Sequence, residues 1–158
     1  MINRRSAIRS MAAIGALAAS GGIRASSPPG VESSDLIYLS PHRSNGALSA
    51  CQAEVWFQAH DDALFVVTAH DAWRARAVAQ GLTDTTVWVG DVGPWRDSEG
   101  AYLTLPKMTM QASLERDPAV HAAVLEKMGE KYAMGWLVWG PRFRNGLADG
   151  SRVMLRYA

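Results

Sequence analysis

The sequence predicts a mainly β (α+β) domain of six antiparallel strands, with a short helix after the third strand and a helical segment near the C-terminus. Three observations lead there. Apolar stretches at 36–40, 48–60 and 63–68 are joined by short polar turns, which is the pattern of an antiparallel meander. Lys107, Thr109, Gln111 and Ser113 alternate with Met108, Met110, Ala112 and Leu114, the period-two signature of a half-buried strand. Two segments, 72–80 and 119–132, instead carry the composition and spacing of helices. A small barrel or an α+β sheet accommodates this set.

The elements follow in order. "LIYLS", Leu36 to Ser40, is the first strand, and Ser44-Asn45-Gly46 is a hairpin signal. Leu48 to His60 form the return strand. Asp61-Asp62 turn the chain into strand three, Ala63 to Thr68. Asp71 reads as the N-cap of the short helix, because its carboxylate can accept from a free first-turn amide; Gly81 suits the C-terminal end. Thr85 to Val92, rich in β-branched residues, is strand four. Gly93-Pro94 and Ser98-Glu99-Gly100 break the chain. Strand five runs from Ala101 past an interruption at Pro106 to Glu115. Asp117-Pro118 open the longer helix, with Pro at its favoured first position and Val120, Val124, Leu125 and Met128 on one face. The aromatic, Gly-rich stretch Met134 to Gly150 reads as a helical or irregular lid. Ser151 to Tyr157 close the chain as the sixth strand.

The bulk numbers narrow the class. At 158 residues the chain holds one folded domain, 31–158, behind a signal-and-linker segment, 1–30. A net charge of +1 gives no electrostatic pointer to nucleic acid. The single cysteine, Cys51, rules out a disulfide within the chain and a cysteine-rich metal site, and reads as a buried structural thiol. The six tryptophans need pockets or interfaces. In segment 1–30, Arg4-Arg5 and Arg9 precede the acid-free apolar run Met11 to Ala19 and a Ser/Gly/Pro-rich stretch, the layout of an export signal. "NRRSAIR", Asn3 to Arg9, resembles a twin-arginine signal, with Ala7 where a bulky apolar residue is commoner. The expectation is an exported, periplasmic or secreted protein, cleaved after Ser20 or Ala25. Its only membrane contact is then the signal, whose apolar run is short for a span.

From Asp35 to Gly90 the order of elements resembles the pyridoxamine 5'-phosphate oxidase-like split β-barrels, the FMN- and deazaflavin-binding folds. The residues that carry the resemblance are Asn45-Gly46, Val55-Trp56-Phe57, Val66-Val67-Thr68 and Trp73-Arg74-Ala75-Arg76. The chain departs from the family in having Arg74 where lysine is common, "GLTDTT" after the short helix, and a longer, more aromatic C-terminal part. The resemblance implies a six-stranded split barrel that works as a homodimer. It places an FMN or deazaflavin coenzyme at the dimer interface, its phosphate by the strand-three/helix turn and its ring against strand two. The cofactor would carry the redox chemistry on a small-molecule substrate, and the protein would supply binding and orientation.

Thr68, Arg74 and Arg76 form the sharpest cluster, since a helix start and a guanidinium both favour an anion. Two residues apart, the arginines point in different directions, so one of them is the better candidate. Asp71 competes for the same amides. Trp73 either stacks on a flavin or packs under the helix. Val55 and Trp56 face opposite ways, one toward the core and one toward cofactor or partner, while Phe57 reads as core. Tyr132, Trp136 and Trp139 either pack the lid or cap a ligand cleft. The four histidines lack metal-ligand spacing, and no Gly-rich phosphate loop or nucleophile elbow is present. Two further readings stand beside the oxidoreductase: a split barrel that holds haem or another flat ligand, or serves structurally, without turnover, and an unrelated small β-barrel carrier.

Overall fold

In the computed structural model, which describes residues 29–158, ten regular elements follow one another. They are β1 (Leu36–Pro41), β2 (Ala53–Trp56), β3 (Gln58–His60), β4 (Ala63–Ala69), α1 (Trp73–Ala79), β5 (Asp84–Val89), a 3-10 turn (Ala101–Thr104), β6 (Lys107–Glu115), α2 (Pro118–Asp149) and β7 (Arg152–Tyr157). The expected signal peptide lies outside the described residues.

All strand pairs are antiparallel, and the sheet order is β2-β1-β5-β6-β7-β4-β3. The two edge strands, β2 and β3, are neighbours in sequence with Phe57 alone between them. The expected return strand is therefore one strand bent at Phe57. Its first half pairs β1 through Trp56↔Leu36, and its second half pairs β4 through Gln58↔Phe65. Seven strands thus correspond to the six expected, and the sheet curls until its edges meet, which leaves little exposed edge.

At β4 both faces of the wall are covered, whereas β6 keeps Lys107, Thr109, Gln111 and Ser113 exposed. Ile37, Leu39, Phe57, Leu64, Val66, Val87, Val89, Leu155 and Tyr157 fill the barrel interior. Ala63, Phe65, Val67 and Met154 face outward, beneath Val124, Leu125, Met128, Tyr132 and Phe143 of α2. This double burial is why "ALFVVT" reads as a continuous apolar run rather than an alternating one. A third cluster, Tyr38, Trp88 and Tyr102, lies under the 91–106 loop, with Tyr102 stacked on Tyr38 at 5.2 Å between ring centroids.

Three local expectations change. Asp71 does not cap α1: Ala72 holds the N-cap position, with no side-chain hydrogen bond there. Ala101 to Thr104 wind into a 3-10 turn that delivers Tyr102 to its cluster, so β6 begins only at Lys107, directly after Pro106. Pro106 offers no N–H to a ladder and favours the strand's first boundary. The return strand starts at Ala53, not Leu48, because 43–52 is irregular apart from a bridge between His42 and Leu48.

Asp117 does cap α2, accepting from Ala119 N at 2.8 Å. Segment 134–150 is helical nearly throughout, and α2 breaks at Ala133, whose φ of 30° lies in the region L-residues rarely adopt. The limbs on either side fold back, so that Trp136 lies against Gly129 and Leu125 and Leu147 line one cleft.

Candidate functional site

The bend at Phe57 costs the ladder a residue, and α2 repays it. The Tyr132 hydroxyl accepts from Phe57 N–H at 2.8 Å and lies 2.7 Å and 2.9 Å from the carbonyl oxygens of Phe57 and Asp35, to one of which it donates. Lys131 Nζ donates to the same Phe57 carbonyl and sits 3.7 Å from the Phe57 ring centroid. Burial raises the Tyr132 hydroxyl's pKa and lowers that of the Lys131 ammonium. Tyr132 also stacks on Trp56, with ring centroids 4.2 Å apart and planes within 6°. The last residue of β2 is thereby pinned to the first limb of α2.

Beside this corner opens a cleft of about 330 Å³, lined by Glu54, Val55, Trp56, Val67, Thr68, Arg74, Trp139, Phe143 and Arg152. Five elements meet there: β2, the C-terminal end of β4, α1, the second limb of α2 and the first residue of β7. Arg74 Nη1 donates to Thr68 Oγ1 at 2.5 Å. That bond turns the guanidinium back over the strand end and leaves the hydroxyl hydrogen free to meet a ligand. Arg152 is held in place from three sides. Its guanidinium carbon lies 5.8 Å from the Trp139 ring centroid and 5.5 Å from that of Phe143, and its stem lies where a Cβ on Gly146 would stand. Trp56 meets Trp139 edge-on at 6.5 Å. Two cations and a hydroxyl thus share a cleft with aromatic walls, and no salt bridge pairs either arginine among the described residues. Glu54 is the one acid on the lining, and its Oε2 accepts from Trp95 N at 3.1 Å.

Of the residues singled out in the sequence, Val55, Trp56, Thr68 and Arg74 converge on this cleft. Arg76 does not: it is exposed on α1, its guanidinium 5.7 Å from the Trp73 ring. Trp73 lines a different depression, with Arg43, Ser49, Cys51 and Leu82, and its Nε1 has no hydrogen-bond partner. Cys51 is half-exposed there rather than buried. α1 has only seven residues, two turns, so its backbone contributes little field and the positive charge of the site comes from guanidinium groups. Trp139 reaches the cleft, while Tyr132 and Trp136 pack the lid. Arg152 and Phe143 were not legible as site residues. They stand 84 and 75 positions after Thr68, and only the return of α2 onto the barrel brings them back.

The residues fit a flat ring with an anionic arm. The arginines and Thr68 match a phosphate or carboxylate, and Trp56, Trp139 and Phe143 match a ring. No histidine, cysteine, methionine or tyrosine lines the cleft. Among the described residues, no cluster of His, Cys, Asp or Glu suits a metal ion, and no helix is long and apolar enough to cross a membrane.

No protein-family model matches the chain, and no curated protein does. Solved structures do match. The haem storage protein HutZ from Vibrio cholerae is 19% identical, with 80% of this chain and 82% of that one covered and a TM-score of 0.55. A candidate pyridoxamine 5'-phosphate oxidase from Listeria innocua is 13% identical over 81% of this chain and 86% of its own, at a TM-score of 0.51. An F420 reductase is 16% identical over 81% and 88%, at 0.50. At such identities the likeness is one of fold, and that fold is the split barrel of the pyridoxamine 5'-phosphate oxidase-like structures.

Proposed function

We propose that this protein is an exported oxidoreductase that uses FMN or a deazaflavin coenzyme on a small-molecule substrate and works as a homodimer. The observation that carries the reading is the pairing of Thr68, Arg74 and Arg152 with the aromatic wall of Trp56, Trp139 and Phe143 in one cleft. Arg74 and Arg152 bind the cofactor's phosphate, with the Thr68 hydroxyl as a further donor. Trp56, fixed by its stack on Tyr132, orients the ring, and Trp139 shields it from water on the other side. The bound flavin or deazaflavin supplies the hydride chemistry, and the chain supplies placement and electrostatics. The cleft is open on one side, and a second copy of the chain closes it. Export places the protein where soluble nicotinamide reductants are scarce, so its electrons come from a partner in the same compartment.

A second reading is favoured by the likeness to HutZ: a non-enzymatic haem-binding or other flat-ligand-binding protein, its carboxylates on the same two arginines. This chain offers no axial ligand in the cleft, which favours the flavin or deazaflavin. The visible absorption spectrum of natively exported protein separates the two. A flavin or deazaflavin band that bleaches with dithionite supports the first reading, and a Soret band supports the second. A colourless protein that binds neither cofactor class on titration defeats both.

A further inference from the structure

The second limb of α2 presents two faces. Gly140, Phe143 and Gly146 are buried toward the barrel. On the other side, Met134, Leu137 and Val138 stand 80%, 73% and 54% exposed, at the i, i+3, i+4 spacing of one helical stripe. Three large apolar side chains on one stripe in water are unusual for a surface that meets nothing.

Charge says what they meet. From Lys131 through Ala148 the chain contains no Asp or Glu. Lys131 is engaged with Phe57, but Arg142 and Arg144 are exposed along the same limb. The Arg142 guanidinium lies 5.1 Å from the Trp139 ring centroid, and that of Arg144 lies 5.5 Å from the ring centroid of Trp136. The result is an apolar stripe with cations at one end, the layout of a helix that lies in a lipid interface.

We propose that this limb docks the protein on a lipid surface with anionic headgroups. Met134, Leu137 and Val138 enter the acyl boundary, and Arg142 and Arg144 meet lipid phosphates. The surface is peripheral, since no described helix can cross a bilayer. A second copy of the chain fits this face less well. A two-fold contact would set Arg142 and Arg144 against their own copies with no acid on the stripe to pair them. Three side chains also fall well short of the roughly 800 Å² per partner that a stable interface buries. The proposal does not depend on the cofactor, because the stripe faces away from the buried side of the limb.

The test is co-sedimentation of the full chain with phosphatidylcholine vesicles and with phosphatidylcholine–phosphatidylglycerol vesicles. Segment 1–30 is the same in every variant, so differences between variants read this face. The wild type should bind the anionic vesicles about tenfold or more tightly than the neutral ones, with the preference falling as salt rises. Leu137→Glu/Val138→Glu should lose about tenfold or more on the anionic vesicles. Arg142→Glu/Arg144→Glu should abolish the preference for them. Far-ultraviolet circular dichroism checks that each variant is folded, and Leu137→Ser/Val138→Ser replaces the first variant if it is not. Vesicle binding that is unchanged in both folded variants overturns the proposal. So does a dimer, seen by analytical ultracentrifugation, that Leu137→Glu/Val138→Glu dissociates while vesicle binding persists.

Discussion

Arg74 Nη1 lies 2.5 Å from Thr68 Oγ1, which ties the first turn of α1 to the last turnward residues of β4. Arginine near the start of a helix is disfavoured by the local backbone field, and this bond accounts for one of the two found there. The other, Arg76, rests over Trp73 on the surface. The pair therefore divides into a residue of the cleft and a residue of the helix exterior.

Arg74→Ala should weaken binding of FMN or its deazaflavin counterpart. A hydrogen bond to a charged group contributes about 1.5–3 kcal/mol, or roughly ten- to a hundredfold in Kd. Arg152→Ala should act in the same direction. Arg76→Ala should leave Kd within about twofold, since surface substitutions cost little. Isothermal titration calorimetry of the three variants checks the division.

Tyr132→Phe should destabilise the fold by about 1–3 kcal/mol, because it leaves the buried Phe57 N–H without an acceptor. The loss appears as a lower urea midpoint at an unchanged slope. Removing the clamp also frees the corner that carries Trp56, so cofactor binding should weaken with it.

Gly135→Ala should cost about 1–3 kcal/mol, because a Cβ there would meet Trp56 Cη2 and Cζ2, and the indole cannot retreat from its stack on Tyr132. Tryptophan emission should shift as Trp56 is displaced toward the cleft. An unchanged spectrum and midpoint would mean that Gly135 is not what seats Trp56.

Stability should fall in alkali. Burial holds the Tyr132 and Tyr157 hydroxyls above the ordinary value of 10.0. A group whose folded pKa is raised contributes stability that is complete below its unfolded value and lost above it. From neutrality to about pH 10 these two tyrosines make stability flat. Above that, each removes about 1.4 kcal/mol per pH unit until its folded form ionises. Urea midpoints measured across this range, compared between wild type and Tyr132→Phe, should show a shallower alkaline decline in the variant.

Much of the architecture is legible in the residues because it is local. Alternation along Lys107–Leu114, the Asp61-Asp62 turn at positive φ, and the Asp117-Pro118 helix start each depend on a few neighbours. What escaped depends on contacts that only the closed fold creates. The bend at Phe57 has no glycine or proline to mark it and is stabilised by a tyrosine 75 residues away. Asp71 has the right chemistry for a cap, yet the chain enters α1 one residue later, at Ala72. The cleft was half visible: Thr68 and Arg74 are close in sequence, whereas Arg152 and Phe143 arrive with α2 and β7.

The most direct test is titration of purified protein with FMN and, in parallel, with riboflavin, followed by quenching of flavin fluorescence. Two arginines and a threonine on the phosphate predict that FMN binds about tenfold or more tightly than riboflavin, and that Arg74→Ala closes most of that gap. Equal affinity for the two flavins, or a preference for FMN that survives Arg74→Ala intact, would contradict the placement of the phosphate at Thr68, Arg74 and Arg152.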